Sequence, residues 1–445
     1  MSENELLEKI NGPAAAGLFT SLYGADELGP ARLRYSRLAE ELRQSVTGKS
    51  LTGAPFRAFS VPGRTELGGN HTDHNQGKVL AASIHLDAAA IAVPTPGTEV
   101  FFRSTGHRDV TVDISDLSAR DEEKGNTESL IRGIAAEFAA RGTPVSGFAA
   151  NANNRVFTGS GLSSSAAVEV LIAKIFDSLF CGGRRSALEL AQIGQKAENL
   201  YFGKPCGLMD QAACASGGAI AIDFGDPENP IIRRLNFDTA GFSLCVINTG
   251  GNHANLTPDY AAVPAEMKAA AAFFGKNVLR EVNEEDIRLQ LPGLRKSAGD
   301  RAALRALHFF NENRRVDEMA MLLENPPEPS GAFMEKFLAL VRESGDSSWE
   351  ILQNVYSPGN PSEQGVSLAL AITKDFLNAE RNNGTRRGGC RVHGGGFAGT
   401  IQAYVPGERL NDYRNLMEGI FGAGSLTVLR IRPQGAVEIN ADIPQ

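Results

Sequence analysis

The sequence predicts an α+β protein of two domains with mixed sheets, a helix-rich second part and a cleft between the two. Three observations carry that expectation. Up to about residue 240, short β-prone runs alternate with helical patterns. From Pro258 to Arg381 helical periodicity dominates. At 445 residues the chain is longer than one hydrophobic core commonly serves. The expected division is 1–240 and 241–445, with the boundary inside 225–245.

The elements follow in order. Residues 2–22 and 30–47 read as helices, separated by Gly24 and the Gly29-Pro30 break. Arg57–Val61 is β-prone, and Pro62-Gly63 is expected to end it, because proline cannot donate to a strand ladder. Residues 63–77 are polar, glycine-rich and aperiodic, hence a loop. Residues 86–93, 98–103 and 108–114 are β-prone with turns between, the pattern of a meander. A helix is expected over 127–141 and a strand over 146–156. Val168, Leu171, Ile172 and Ile175 then recur at i, i+3, i+4, i+7, which marks a helix. A second helix covers 185–199, and strands cover 217–223 and 241–248. The helical stretch is broken at Pro292, at Pro326-Pro327 and at Ser357–Pro361. A strand at 400–405, a helix at 407–421 and a strand at 425–433 close the chain.

Composition narrows the function. Hydrophobic residues make up 42% and charged residues 22%, as in ordinary globular proteins. The net charge of −8 argues against wholesale binding to nucleic acid or an acidic membrane. The acidic start Met-Ser-Glu-Asn-Glu has neither the basic nor the apolar segment of a signal peptide. No apolar run approaches membrane-spanning length. The five cysteines are scattered and never spaced Cys-x-x-Cys, which points to a reducing compartment. A cytoplasmic protein is expected.

Four stretches could carry chemistry. The first is Thr158-Gly159-Ser160-Gly161-Leu162-Ser163-Ser164-Ser165, between an expected strand and a helix start. Free N–H groups at a helix start, with the positive end of its dipole, hold phosphate. Alone, the same residues also suit a Gly/Ser turn with a capping serine. No Gly-Lys-Ser/Thr follows, so it is not the common lysine P-loop. The second stretch is Gly63–Gly77. Its His71, Asp73 and His74 are metal-ligand types, but their spacing is not the i, i+4 helical spacing of a zinc protease. A hydrogen-bonding loop that grips a polyhydroxylated ligand suits it better. The third is Glu198 and Asp210, where one acid could hold Mg²⁺ and another could take a proton. The fourth, Gly394-x-Gly396-x-x-Gly399, matches the dinucleotide fingerprint in letters only. A strand pattern follows where that fingerprint needs a helix.

Together these stretches resemble the GHMP small-molecule kinases and, within them, the galactokinases, over about residues 57–433. The family block Gly-Arg-x-Asn-x-x-Gly-Glu-His-x-Asp-Tyr stands here as Gly63-Arg64-Thr65-Glu66-Leu67-Gly68-Gly69-Asn70-His71-Thr72-Asp73-His74. The serine loop and the Gly394-Gly395-Gly396-Phe397 block match closely. The resemblance implies a GHMP-kinase-like fold with the active site between its domains: a sugar- and phosphate-binding domain over 1–240 and a GHMP-type domain over 241–445. It implies Asp210 as the catalytic acid facing the sugar's anomeric hydroxyl, with Arg64 beside it. Gly159, Ser160, Gly161, Leu162, Ser163, Ser164 and Ser165 are implied to cradle the phosphates of ATP, and Ser165 and Glu198 to bind Mg²⁺. Asn70, His71, Thr72 and Asp73 are implied to line the sugar, and Tyr260 to close over it. The implied reaction is phosphorylation of a sugar, foremost galactose, at its anomeric hydroxyl. The implied partners are sugar and ATP, with no nucleic acid, no membrane and a monomeric chain.

Three positions depart from the pattern. The family glutamate is Asn70, its tyrosine is His74 and its asparagine is Glu66. Loss of the charge at Asn70 is expected to relax rejection of an acidic C6 group while galactose stays preferred. The alternatives left open are a kinase for a related hexose or a uronic acid such as galacturonate, and a non-catalytic sensor of sugar and ATP on the same fold. Binding alone needs no base, which disfavours the sensor.

Overall fold

Two sheets carry the structure. In the first, β1 (Arg57–Gly68) pairs antiparallel with β2 (Lys78–Pro94). The computed structural model describes residues 2–45, 54–157, 159–251, 256–325, 330–379 and 387–439. Thr158, the Pro326-Pro327 break and the expected helix end at Arg381 lie outside them.

The first sheet continues with β3 (Glu99–Ser104), β4 (Val110–Asp113), β5 (Phe148–Asn154), β6 (Ala219–Asp223) and β7 (Ile231–Leu235). Its order is β12-β1-β2-β5-β3-β4, with β6 also on β2 and β7 on β6; β12 (Val437–Glu438) returns from the far end of the chain to β1. The expected meander does not form between β2 and β3. Strand β5 lies between them, parallel to β3, and a parallel pair needs a crossover, here the helix α4 described below.

Strand β2 shows why its sequence is apolar without alternation. Ala88, Ala90 and Ala92 enter the main core. The alternate Ala89, Ile91 and Val93 pack under three N-terminal helices, α1 (Glu3–Asn11), α2 (Pro13–Tyr23) and α3 (Leu28–Ser45). Both faces are covered, so the run is apolar throughout. On the core side lie α4 (Thr127–Ala140), α5 (Ser164–Phe180), α6 (Ala187–Ala197) and α7 (Met209–Ser216). Leu171, Ile172 and Ile175 of α5 are fully buried there, the face the periodicity predicts.

Pro62-Gly63 does not end β1. The pairing steps from Pro62↔Asp87 to Arg64↔Ser83, so Gly63 alone on β1 faces Ile84, His85 and Leu86 on β2, and the bulge belongs to β2. Pro62 is tolerated because it stands at the last paired position before the bulge. A Cβ on Gly63 would stand 2.6 Å from Leu162 O, so only glycine lets the strand pass this close to the serine loop. Regular pairing resumes at the next residue, Arg64, opposite Ser83.

The second part holds α8 (Thr257–Phe273), α9 (Glu284–Leu289), α10 (Leu291–Ala298), α11 (Asp300–Glu324), α12 (Ser330–Ser347), α13 (Gly365–Asn378) and α14 (Leu410–Phe421). Its sheet is ordered β11-β8-β10-β9, from β8 (Phe242–Asn248), β9 (Gly389–His393), β10 (Thr400–Pro406) and β11 (Leu426–Leu429). Cys245, Ile247, Ile401 and Ala403 face a cluster shared with α13 and α14. Leu244, Val246 and Tyr404 face the main core, where the Tyr404 ring meets Phe337 of α12 at 5.9 Å between centroids. No described helix is long and apolar enough to cross a membrane.

Candidate active site

Arg64, Asp210, Tyr260 and the Gly394-Gly395 turn meet at one cleft of about 980 Å³. It lies between the sheet of the first part and helix α8 of the second. Asp210 stands in the first turn of α7, after the Gly203–Leu208 loop. Its Oδ1 accepts from Arg64 Nε and Nη2 at 2.8 and 2.7 Å, and its Oδ2 from the Ser163 hydroxyl at 2.6 Å. Burial pushes the Asp210 carboxyl up, but Arg64's charge and the Ser163 and Arg64 hydrogen bonds outweigh it and hold it below the ordinary carboxylate range. The carboxylate is therefore ionised near neutral pH, with about a third of its side chain open to solvent.

Arg64 also grips the serine loop. Its Nη1 donates to Gly161 O, and its backbone N–H donates to Leu162 O at 3.0 Å. Ser163 has φ +60° at the start of α5 and does not cap the helix, because its hydroxyl is committed to Asp210. The first-turn N–H groups have no intrahelical partner, as at any helix start. Ser160 donates to Phe157 O, Ser164 accepts from Asn154 Nδ2 at 2.8 Å, and Leu162 is buried in the core. Gly159 and Ser165 are exposed.

His393 ties this loop to both sheets. Gln402 Nε2 donates to Thr65 Oγ1 at 2.7 Å, so the Thr65 hydroxyl is free to donate to His393 Nε2 at 3.0 Å. The imidazole proton then sits on Nδ1 and goes to Thr400 Oγ1 at 3.1 Å, and Thr400 donates to Ser160 O at 2.9 Å. Burial, with Arg64 and Arg391 nearby, holds His393 well below the histidine range, which keeps it neutral for this chain of bonds.

The 70–74 turn forms the opposite wall. His71 Nε2 lies 2.8 Å from Gly395 O, an acceptor only, so the proton is on Nε2; burial pushes this imidazole down to about 4. Asp73 and His74 line the cleft, and Asp73 Oδ1 accepts from the His74 N–H at 2.9 Å. Thr72 departs from its expected place on the sugar. It is fully buried, with its hydroxyl 2.6 Å from Lys78 O and 2.9 Å from Gly69 O, because closing the turn back onto β2 needs those carbonyls satisfied. Tyr260 of α8 donates to Gly396 O at 2.9 Å and meets Phe397 edge-on.

Glu198 opens a π-turn after α6 and is buried. Its Oε1 accepts from Lys204 Nζ at 3.1 Å and its Oε2 from Gln211 Nε2 at 3.0 Å. Gln211 bonds Glu169 Oε2 with the same amide nitrogen at 2.9 Å, and Glu169 Oε1 is buried without a partner among the described residues. Burial, with Glu198's charge next, pushes Glu169 well above the carboxylate range. Among the described residues no group of three or more His, Cys, Asp or Glu side chains forms a metal cluster.

Sequence reasoning gave no role to Lys204, Gln211 or His393. Lys204 and Gln211 flank Asp210 within the Gly203–Gln211 stretch, so their position was a usable signal. His393 adjoins the Gly394 loop but carries no pattern of its own, since one of its two partners, Thr65 of β1, lies far off in the chain.

Comparison with known proteins places this geometry. Residues 129–218 match the GHMP kinases N terminal domain, and residues 48–94 match the galactokinase galactose-binding signature. The chain is 30% identical over 396 residues to a galactokinase of Streptomyces coelicolor, across 86% of this chain and 93% of that one. It is 31% identical over 370 residues to a galactokinase of Mycobacterium tuberculosis, across 80% and 90%. Its fold is similar to that of Lactococcus lactis galactokinase complexed with galactose, with a TM-score of 0.73 at 22% identity over 89% of this chain and 98% of that one. The mevalonate kinase of Methanococcus jannaschii follows at 0.58 and 13%, over 84% and 98%. With that extent of identity over nearly the whole length of its relatives, the chain belongs to the galactokinase family of GHMP kinases.

Proposed function

We propose that the protein transfers the γ-phosphoryl group of ATP to the anomeric hydroxyl of galactose, giving galactose 1-phosphate and ADP. The observation that carries this reading is Asp210, held ionised between Arg64 and Ser163 where the cleft meets the serine loop. An ionised carboxylate at that point accepts the proton of an attacking hydroxyl. Arg64 keeps the carboxylate charged and offsets charge that builds on the transferring group. Gly159 to Ser165 supply backbone and hydroxyl donors for the phosphates, as helix starts do. His71, Asp73 and Tyr260 line the cleft, where they offer donors and acceptors to a sugar's hydroxyls. Positioning by these groups supplies most of the rate, as in other phosphoryl transfers.

The donors fit Mg²⁺. Ser165 and Glu198 offer a hydroxyl and a carboxylate, and Mg²⁺ takes oxygen ligands and keeps waters and phosphate oxygens in its other positions. Lys204, which occupies Glu198 Oε1, has a side chain 62% exposed, so its ammonium can yield that oxygen into solvent. When bound, the ion neutralises charge on the ATP phosphates.

The reading places the domain boundary near residue 240, with β12 returned to the first domain, and takes the chain as a cytoplasmic monomer. Coupled ADP release across galactose, other hexoses and galacturonate tests the function. Galactose should give the highest kcat/KM, and a panel in which galactose is the poorest would remove the substrate assignment.

A further inference from the structure

The two departures at 66 and 70 touch each other. Asn70 Nδ2 donates to Glu66 Oε1 at 3.1 Å and to Gly394 O at 2.6 Å. Asn70 Oδ1 accepts from Asn354 Nδ2 at 2.7 Å. Both amide hydrogens and the amide oxygen are thus engaged within the protein, and Asn70 is 1% exposed. Its backbone is fixed as well, since His308 Nε2 donates to Asn70 O at 2.9 Å. Asn70 has no free donor to offer a ligand.

Glu66 is different. Its Oε1 accepts from Asn70 and from Arg391 Nη2, a fully buried guanidinium whose Nε and Nη1 have no partner among the described residues. Its Oε2 receives only the same amide at 3.5 Å among the described residues, a contact too long to satisfy a carboxylate oxygen. Both residues line the cleft beside Gly394. Against the family order of asparagine first and glutamate second, carboxylate and amide have exchanged places while remaining in contact.

We infer that Glu66 Oε2 is the acceptor this wall presents to a hydroxyl of the sugar, and that Asn70 is a positioning residue that holds Glu66 in place. The charge absent at 70 is thereby restored at 66. A carboxylate oxygen with open lone pairs accepts from a neutral hydroxyl and has no proton to share with a second carboxylate. The cleft therefore selects neutral hexoses over uronic acids, and the loosened rejection expected from Asn70 alone does not follow. The inference rests on the sugar-kinase reading above.

The test measures dissociation constants for galactose and galacturonate by calorimetry, together with kcat/KM for both. The wild type should bind galacturonate at least tenfold more weakly than galactose. Glu66→Gln should weaken galactose binding at least fivefold and shrink the gap between the two sugars at least fivefold. The exchanged variant Glu66→Asn/Asn70→Glu should recover galactose kcat/KM to within threefold of wild type, while Asn70→Glu alone, which sets two carboxylates together, falls at least tenfold. Equal affinity of the wild type for both sugars overturns the inference whether or not the variants fold. So does a folded Glu66→Gln protein with an unchanged gap. A wild type that phosphorylates no sugar at all removes the kinase reading instead, which separates the two failures.

Discussion

Arg64 meets Asp210 with two of its nitrogens, Nε and Nη2, both on the single oxygen Oδ1 at 2.8 and 2.7 Å. The third nitrogen, Nη1, reaches Gly161 O. One planar guanidinium thus fixes the position of the acid relative to the phosphate loop, and Oδ2 is left to Ser163 and to an incoming hydroxyl. The register shift between β1 and β2 falls immediately before Arg64.

Arg64→Lys should keep the charge and lose the geometry, since an ammonium cannot make the fork to both partners. We expect kcat to fall about a hundredfold, roughly 2.7 kcal/mol in the barrier, with a melting temperature close to wild type. Steady-state kinetics beside a thermal melt check this. A variant within threefold of wild-type kcat would show that charge alone suffices.

Ser165→Ala and Glu198→Gln should each raise the Mg²⁺ concentration needed for half-maximal rate. Each removes an oxygen ligand or its charge from a site with few protein ligands. Titration of Mg²⁺ at fixed ATP reads the effect. Unchanged half-saturation in both variants takes the two residues out of the metal site.

Gly207→Ala should damage the sugar side alone. A Cβ there would overlap Asp73 Oδ2 and push that carboxylate off the cleft wall. The KM for sugar should rise about tenfold while the KM for ATP holds within twofold, a cost of roughly 1.4 kcal/mol in sugar binding. Equal rises in both constants would point to a general loss of structure.

Acid should destabilise the fold before ordinary carboxylates titrate. Burial holds His308 below the histidine range and His393 well below it. Both are neutral in the folded state, at 0% and 2% exposure, but take up protons near pH 6.5 once unfolded. The unfolded state then binds more protons, so stability falls as pH drops below about 6.5, by on the order of 1 kcal/mol per pH unit for His393, and for His308 only until its own lowered range is reached. Melting temperatures from pH 7.5 to 5 should fall steadily below pH 6.5, and less steeply for His393→Gln if that variant folds. A flat profile down to pH 5 would mean that these imidazoles are not held neutral.

Much of this architecture was legible in the sequence. The face of α5 followed from Val168, Leu171, Ile172 and Ile175, and the strand after Gly399 removed the dinucleotide reading. What stayed hidden depends on partners far apart in the chain. Strand β1 runs on through Pro62 because β2 pairs across a bulge, and local propensity cannot see a bulge. Strand β12 exists only because Ser60 and Phe59 leave an edge for it. Thr72 carries the right residue type for a sugar loop but spends its hydroxyl on the turn. The departures at Glu66 and Asn70 were visible as letters, but their contact and the pairing of Glu66 with Arg391 were not.

The most direct test of the central claim is the product formed from ATP and galactose, followed by phosphorus NMR, for the wild type and Asp210→Asn. The change keeps the size of the side chain and removes the base. The account predicts galactose 1-phosphate from the wild type and a rate at least a thousandfold lower from the folded variant, about 4 kcal/mol in the barrier. Phosphorylation at another hydroxyl, or an Asp210→Asn rate within tenfold of wild type, would contradict it.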